Sequence, residues 1–392
     1  MQRIALSVSV WCSLGLLSGG SSAAAADLML SGNDQKVTWD EAGKVVASAP
    51  GGDTVSVIDI GTDPAKPRIV AELPLMNSIF GPPTNLAITP DGKLALVANS
   101  MRWVQEGQAW TPQPDNKVYV IDLEASPPAH LATVEVGDQP SGMAISKAGD
   151  LALVANRASK NVSVLAIRGR EVELVGNVDM GDVVAAVAIA PDGRRALAAK
   201  FPSHKISLLE IDGQTVTYGG YDIPVGLWPY NVAITPDGRL ALTADNGASG
   251  ASDGHVDTVS VIDLEADPPR LIDKVVVGDA PEGLAISPTG ELAVAVLLKG
   301  SGAVARDAWF RSDAGSVVAL RIDGKQVTRG VEVAVGRLPE GAVFSRDGSH
   351  LYVGNFVDGD VSVLRIEGGT IADTGQKLKL PGPPAAMRAA WP

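Results

Sequence analysis

One segment of the chain recurs along its whole length, and this recurrence constrains the fold more than any other feature. The sequence NVAITPDGRLALTADN at residues 231–246 has close counterparts at 85–100, 142–157 and 283–298. Each copy joins two short apolar runs through a tight turn, which is typical of a β-hairpin. The turn glycine marks seven copies with a base period of about 44 residues: Gly43, Gly92, Gly149, Gly193, Gly238, Gly290 and Gly348.

A second marker follows each hairpin and gives the same count. It is an apolar strand such as TVSVIDI at 54–60 or DVSVLRI at 360–366, and it too occurs seven times. With a fourth strand that closes the unit, each repeat holds four β-like segments and shows no helical periodicity. We therefore predict an all-β fold, a seven-bladed β-propeller with four-stranded antiparallel blades, formed by residues 27–392 as a single domain.

Two segments compete for the inner position of the first blade. Residues 36–43 align with the inner hairpin of the repeat, whereas residues 384–390 align with the start of an inner strand. We expect the C-terminal segment to pack beside the N-terminal blade and to close the ring there.

The first 26 residues have the pattern of a secretory signal peptide. Arg3 supplies a positive start, residues 4–17 form a short apolar run, and Ala24-Ala25-Ala26 before Asp27 gives a small-residue cleavage site. This pattern predicts cleavage before Asp27 and export to a bacterial periplasm or to the outside of the cell. The only cysteine is Cys12, so cleavage would exclude disulfides, thiolate metal sites and cysteine nucleophiles. We expect no transmembrane segment, because no other run is long and apolar enough.

The chain is acidic, with a formal net charge of −13. Lysine and arginine must neutralise the phosphates of a nucleic acid, so this charge argues against a nucleic-acid partner. It also disfavours binding to anionic membrane surfaces. We expect a monomer whose partner is an unidentified small molecule or another protein.

The ends of the second strands carry a further motif. The segments ALVAN at 95–99 and 152–156 and LYVGN at 351–355 each precede a VSVID-like strand, and they resemble the YVTN-type β-propeller repeat proteins. Propellers related to this family include lactonase-like hydrolases and the heavy subunits of periplasmic amine dehydrogenases, and other members bind partners without known catalysis. The resemblance therefore implies a fold and a compartment, and it leaves the activity open.

Three repeats are longer than the others, and their extra residues fall in the same connection, between the second and third strands. These insertions are 100–115, 246–257 and 298–315. Insertions confined to one face of a repeat protein often mark its binding face. The alternative is a set of tolerated surface insertions whose aromatic residues cap the blades. The candidate ligand-binding residues on this face are Arg102, Trp103, Trp110, Tyr230, Arg306, Trp309, Phe310 and Arg311.

The start of each inner strand should surround the mouth of the central channel on that same face. Glu282 and Glu340 hold equivalent places in two neighbouring blades. Two carboxyl groups in such a position can share a proton or bind a cation, for which Asn85 and Asn231 offer further oxygen ligands. This set is loosely similar to the calcium sites of lactone-hydrolysing propellers, although it does not match them residue for residue, and the resemblance would imply calcium as the cation. The alternative is a Pro-Glu-Gly turn whose carboxylates are solvated.

Three functions are compatible with these features. The preferred hypothesis is an exported protein that binds a ligand or protein partner on the face with the three insertions. The second is a lactonase-like hydrolase in which a cation at the channel mouth polarises a carbonyl and activates water. The third and weakest is a subunit that docks to a redox partner, as the heavy subunits of amine dehydrogenases do.

Overall fold

The computed structural model describes residues 27–390, and the predicted signal peptide lies outside this range. The described residues form strands and include no helix, so they contain no helix that could cross a bilayer. The strands are β1 (Leu28–Asn33), β2 (Val37–Trp39), β3 (Val45–Ala47), β4 (Thr54–Asp59), β5 (Arg68–Leu73), β6 (Leu86–Ile88), β7 (Leu94–Glu106), β8 (Ala109–Asp122), β9 (Ala129–Glu135), β10 (Pro140–Ile145), β11 (Leu151–Asn156), β12 (Asn161–Arg168), β13 (Glu171–Asp179), β14 (Val184–Ile189), β15 (Arg195–Lys200), β16 (Lys205–Asp212), β17 (Thr215–Pro224), β18 (Pro229–Ile234), β19 (Leu240–Asp245), β20 (Asp257–Asp263), β21 (Arg270–Gly278), β22 (Pro281–Ile286), β23 (Leu292–Leu297), β24 (Ser316–Asp323), β25 (Gln326–Ala334), β26 (Pro339–Phe344), β27 (His350–Asn355), β28 (Asp360–Glu367), β29 (Thr370–Lys379) and β30 (Pro384–Ala389).

These strands form seven four-stranded antiparallel sheets and one separate hairpin, β2–β3. Six sheets follow the chain directly, from β6–β9 through to β26–β29. The innermost strands contact one another in a closed ring, in the order β6, β10, β14, β18, β22, β26 and β30. The predicted seven-bladed β-propeller with four-stranded blades is therefore confirmed.

The seventh sheet closes the ring with strands from both ends of the chain. Its order is β30, β1, β4 and β5, so the C-terminal strand is the innermost one. The assignment of residues 36–43 to the inner hairpin was wrong. They belong to the β2–β3 hairpin, which is inserted between the second and third strands of this blade. The reason is that β1 pairs with both β4 and β30, which leaves no position in the sheet for a further strand.

The core lies between neighbouring blades. Leu242 and Val261 of one blade pack with Leu284 and Ala295 of the next, and similar layers of Val, Leu, Ile and Ala fill the other blade interfaces. A second strand such as β11 is buried at every residue because both faces of its sheet are covered. This two-sided burial explains the continuous apolar runs of the repeat.

The recurring hairpin turn is stabilised by its own side chains. The Thr235 hydroxyl donates to the Asp237 carboxylate at 2.5 Å and accepts from the Leu240 amide at 3.1 Å. Gly238 has φ of 75°, a conformation that favours glycine. The Pro-Asp-Gly sequence therefore recurs for a structural reason, at the end of the ring opposite the insertions.

In most blades a polar residue near the end of the second strand ties it to the third strand, whereas one blade has Leu297 at this place. Asn355 donates to Ser362 at 2.9 Å and to Asp360 at 2.7 Å, and it is fully buried. One blade has Asp245 at this position, where Ser260 donates to the carboxylate at 2.7 Å. Burial raises the pKa of Asp245 to about 6, although three hydroxyl donors oppose this effect.

Candidate functional site

The insertions lie on one face of the ring, which we call the loop face, and they include a fourth member that the repeat spacing did not reveal. Residues 34–53 carry the β2–β3 hairpin, which reaches the 298–315 insertion. There the Arg306 guanidinium forms an exposed ion pair with Glu41 at 2.8 Å. Trp39 of the same hairpin packs edge-on against Phe356 at a ring-centroid distance of 5.6 Å. These contacts span the blade between the two insertions.

A buried lysine anchors the base of the hairpin insertion. Lys36 is fully buried, and its ammonium group contacts the carboxylates of Asp34, at 3.0 Å, and Asp53. The same aspartates accept from the backbone of the next connection, at Ile79 (3.0 Å) and at Asn77 (3.2 Å). The buried ions therefore fix the hairpin insertion to the chain segment that leads to β6.

The mouth of the channel lies beneath these loops. Glu282 and Glu340, the second residues of β22 and β26, are only 5% and 3% exposed. The 246–257 insertion covers Glu282, because a Cβ built on Gly250 would lie 3.7 Å from its Oε1 atom. This insertion therefore lies against Glu282 at the mouth, to which its first residue, Asn246, also donates.

The structure brings the two glutamates together. Their buried carboxyl groups interact directly, and this interaction favours the ionised form of Glu282 and the protonated form of Glu340. Burial is the main cause that raises the pKa of Glu282 to about 7. Burial, followed by the charge of Glu282, raises the pKa of Glu340 well above its usual range. The pair therefore retains a proton to higher pH than two free glutamates would, and Glu282 gains or loses its proton near neutral pH.

A cation and a phenol adjoin this pair. Arg157, in the short connection after β11, lies with its guanidinium carbon 5.8 Å from the centroid of the Tyr230 ring, and its charge favours the ionised form of that phenol. Its positive charge also favours the ionised form of Glu282. Burial, together with the negative charges of Glu282 and Glu340, raises the pKa of Tyr230 above its ordinary value. Asn246 completes the group by donating to Glu282 Oε1 at 3.2 Å.

Unpaired buried polar atoms concentrate on the loop face. A buried polar atom without a partner costs about 1–3 kcal/mol, so a cluster of them indicates a place for water or a polar ligand. Among residues 27–390, every such side-chain atom belongs to the mouth, the hairpin insertions or the connections beside them. They are Asn77 Nδ2 and Oδ1, Thr84 Oγ1, Asn85 Oδ1, Asn99 Oδ1, Trp103 Nε1, Arg157 Nε and Glu340 Oε2.

The candidate residues of the 100–115 insertion do not form one exposed site. This insertion continues β7 and β8 as a hairpin, in which Trp103 is buried against Phe80 at a centroid distance of 6.1 Å. Arg102 is exposed and donates within the hairpin, to Gln113 at 3.1 Å. Trp110 is half-buried near the tip. No ring contact or hydrogen bond in the described chain joins these residues to the 298–315 insertion.

The candidate residues of the 298–315 insertion face the solvent together. Trp309 is 78% exposed and packs edge-on against Phe310 at 5.4 Å. Gly254 of the neighbouring insertion approaches so closely that a Cβ there would lie 2.7 Å from the Trp309 ring. Arg311 is exposed and donates to the Val304 carbonyl at 3.4 Å.

The predicted oxygen ligands do not fit a calcium site. Asn231 Oδ1 accepts from the Val232 amide at 2.8 Å, so this oxygen is already used. Asn85 Oδ1 is free, but no described contact joins it to Glu282 or Glu340. Calcium takes about six to eight oxygen ligands, whereas this mouth places the positive charge of Arg157 beside its two carboxyl groups. Within residues 27–390, no group of three or more His, Cys, Asp or Glu residues is placed to hold a metal ion.

Aligning the repeats singles out two residues of the mouth that lie outside the predicted site. Arg157 directly follows β11, and Asn246 directly follows β19, so they hold the same place in two blades. The corresponding residues in the other blades form a ring above the mouth. They are Asp34, Ser100, Phe201, Leu298 and Phe356.

Comparisons with known proteins identify the fold but match neither a family model nor a curated protein. A candidate 6-phosphogluconolactonase from Bacteroides fragilis has a TM-score of 0.70 at 16% identity, over 94% of this chain and 99% of that one. A periplasmic gluconolactonase from Pseudomonas aeruginosa has a TM-score of 0.66 at 18% identity, over 93% and 98%. A functionally unknown protein from Desulfotomaculum acetoxidans has a TM-score of 0.68 at 14% identity, over 94% and 100%. At these identities the similarity shows architecture alone, and the chain is a seven-bladed β-propeller that shares its fold with these structures.

Proposed function

We propose that the mouth is the active site of a hydrolase that opens a hydroxylated lactone. The observation that carries this proposal is the buried pair Glu282 and Glu340, which retains a proton to higher pH than two free glutamates would, beside the Arg157 guanidinium. A carboxyl group with a pKa near 7 can act as a general base at neutral pH, and its protonated partner can act as an acid. The similarity to lactonase-like propellers supports the choice of substrate class.

Each step can be assigned to residues of this chain. Ionised Glu282 removes a proton from water, and the water oxygen attacks the lactone carbonyl carbon. Arg157 donates from its unpaired Nε atom to the oxygen that becomes negative. The carbon–oxygen bond of the ring then breaks, and Glu340 gives its proton to the leaving ring oxygen. The proton held by Glu282 returns to Glu340 through their direct interaction, which restores the pair.

This route differs from metal-assisted hydrolysis in its dependence on cations. The mouth contains its own positive charge, Arg157, and its own proton donor, Glu340. We therefore expect turnover to persist in the presence of a chelator and to gain nothing from added calcium.

The test is proton release from a panel of sugar lactones and simple lactones, measured with a pH-stat. We expect the wild-type protein and Glu291→Gln, an exposed glutamate of the same blade, to hydrolyse at least one lactone at equal rates. Glu282→Gln should reduce the rate by about a hundredfold or more, since it removes the general base. Equal rates for Glu282→Gln and Glu291→Gln would reject the assignment, and so would the absence of turnover by the wild type.

The exposed rim of the loop face supports a second candidate, a docking surface for an exported protein partner. Trp309 and Val256 are 78% and 71% exposed, and the approach of Gly254 to Trp309 puts them in one region. Exposed apolar patches of this kind mark interaction sites. Affinity capture should yield a stoichiometric partner with the wild type and with Leu131→Ser, a control on an outer strand, but not with Trp309→Ser. Equal capture by both variants would reject the patch.

A further inference from the structure

One residue of the channel wall differs in chemical type from its counterparts in the other six blades. When the inner strands are aligned with β10, Pro140 marks the first position in each strand. The residues at the fifth position of the seven strands form a ring around the channel, about 10 Å beyond the mouth residues. Six members of this ring are small apolar residues, and the member from β30 is an arginine. The ring consists of Ala87, Ala144, Ala188, Ala233, Ala285, Val343 and Arg388.

A cavity of about 370 Å³ occupies this part of the channel. Its opening is flanked by Pro90, Pro191 and Pro236 of the hairpin turns, so it faces away from the loop face. Most of its wall is apolar, with isoleucines that follow the ring residues. These are Ile88, Ile145, Ile189, Ile234 and Ile286.

Three cationic residues line the cavity, and no acidic residue does. Lys147 is exposed at the rim, and Arg346 is paired with Asp27 at 3.0 Å. Arg388 lies deeper, and no hydrogen bond or ion pair joins its side chain to another residue of the described chain. Its guanidinium thus faces an apolar cavity without a counter-ion, in a protein whose formal net charge is −13. An unpaired charge in such surroundings is unfavourable unless an anion neutralises it.

We propose that this cavity binds a small organic anion with an apolar body, such as an aromatic or short aliphatic carboxylate. The carboxylate pairs with the two parallel N–H donors of Arg388, a geometry that guanidinium groups favour. The apolar body contacts the isoleucine and alanine walls. The volume suits a compact ligand, because small-molecule pockets begin at about 300 Å³. This site is separate from the carboxyl pair and does not depend on the proposed hydrolase.

Isothermal titration calorimetry with benzoate tests the proposal, with benzamide as the neutral analogue and inorganic phosphate as the anion without an apolar body. We expect benzoate to bind the wild type and Lys93→Met, which changes an exposed lysine outside the cavity, equally well. Arg388→Met should weaken benzoate binding by about tenfold or more, the effect of losing a charge-assisted hydrogen-bonded pair. Benzamide and phosphate should each bind the wild type at least about tenfold more weakly than benzoate.

Two further measurements separate this site from folding and from the mouth. Arg388→Met should unfold at the same temperature as the wild type or higher, since methionine suits an apolar ring and no ion pair is lost. Glu282→Gln should bind benzoate unchanged. Benzoate binding to Arg388→Met within twofold of the wild type, phosphate binding as tight as benzoate, or no benzoate binding by the wild type would overturn the proposal.

Discussion

Replacing Glu340 with glutamine tests the protonated carboxyl pair without any knowledge of the substrate. In the wild type, burial and the neighbouring Glu282 raise the pKa of Glu340 well above the value of 4.5 expected for a free glutamate. Glutamine keeps the shape and a hydrogen-bond donor toward Glu282, but it cannot ionise. The variant therefore removes one buried titrating group and leaves the packing of the mouth in place.

The sign and size of the effect follow from proton linkage. A group whose pKa is raised by folding stabilises the protein fully below its unfolded pKa, and this contribution is lost as the pH rises toward its folded pKa. Each proton that the folded state retains, and the unfolded state releases, costs about 1.4 kcal/mol of stability per pH unit. Between pH 5 and pH 7 the wild type should therefore lose more stability than Glu340→Gln.

Equilibrium urea unfolding, followed by tryptophan fluorescence at pH 5, 6 and 7, measures this difference. Glu291→Gln, which changes an exposed glutamate of β22's blade, is the matched control and should follow the wild type at every pH. A constant difference between Glu340→Gln and the wild type across the three pH values would refute the protonated pair, because Glu340 would then titrate as an ordinary glutamate.

Two further substitutions test the buried polar groups of the ring by the same unfolding measurement. Asp245→Asn supplies the amide that Asn355 provides in another blade, and burial raises the pKa of Asp245 to about 6. This variant should raise the free energy of unfolding by about 3 kcal/mol at pH 7.5 and leave it unchanged near pH 4. Asn355→Asp should lower the free energy of unfolding at pH 7.5 and leave it unchanged near pH 4. Equal effects at both pH values would contradict this. Lys36→Met leaves Asp34 and Asp53 buried without a cation and should cost about 3–5 kcal/mol, so a loss below about 1 kcal/mol would contradict the ion cluster.

The architecture could be predicted from sequence because each blade repeats the same local sequence patterns. The Pro-Asp-Gly turn and the two-sided apolar strands recur, and the equivalent places of Glu282 and Glu340 follow from the repeat alone. The closure of the ring could not be predicted in this way. Residues 36–43 and 384–390 carry similar local patterns, and the choice between them depends on pairing between β1 and β30, which are far apart in the chain.

The details of the mouth depend on side-chain directions, which cannot be read from the spacing of residues along the sequence. Asn231 was expected to offer an oxygen to a cation, yet its side chain accepts from the next backbone amide instead. Arg157 was overlooked because its connection has no insertion, although its guanidinium contacts the ring of Tyr230, which lies two blades further along the chain. Arg388 stands out only when all seven inner strands are aligned and the ring is known to enclose a channel.

The pH dependence of lactone hydrolysis tests the central claim, that Glu282 and Glu340 form a catalytic acid–base pair, most directly. Proton release should give a kcat/KM that rises with pH through a midpoint near 7, the pKa to which burial raises Glu282. Glu282→Gln should abolish this rise, and Glu291→Gln should leave it unchanged. A profile that Glu282→Gln leaves intact, or no hydrolysis of any lactone at any pH, would contradict the account.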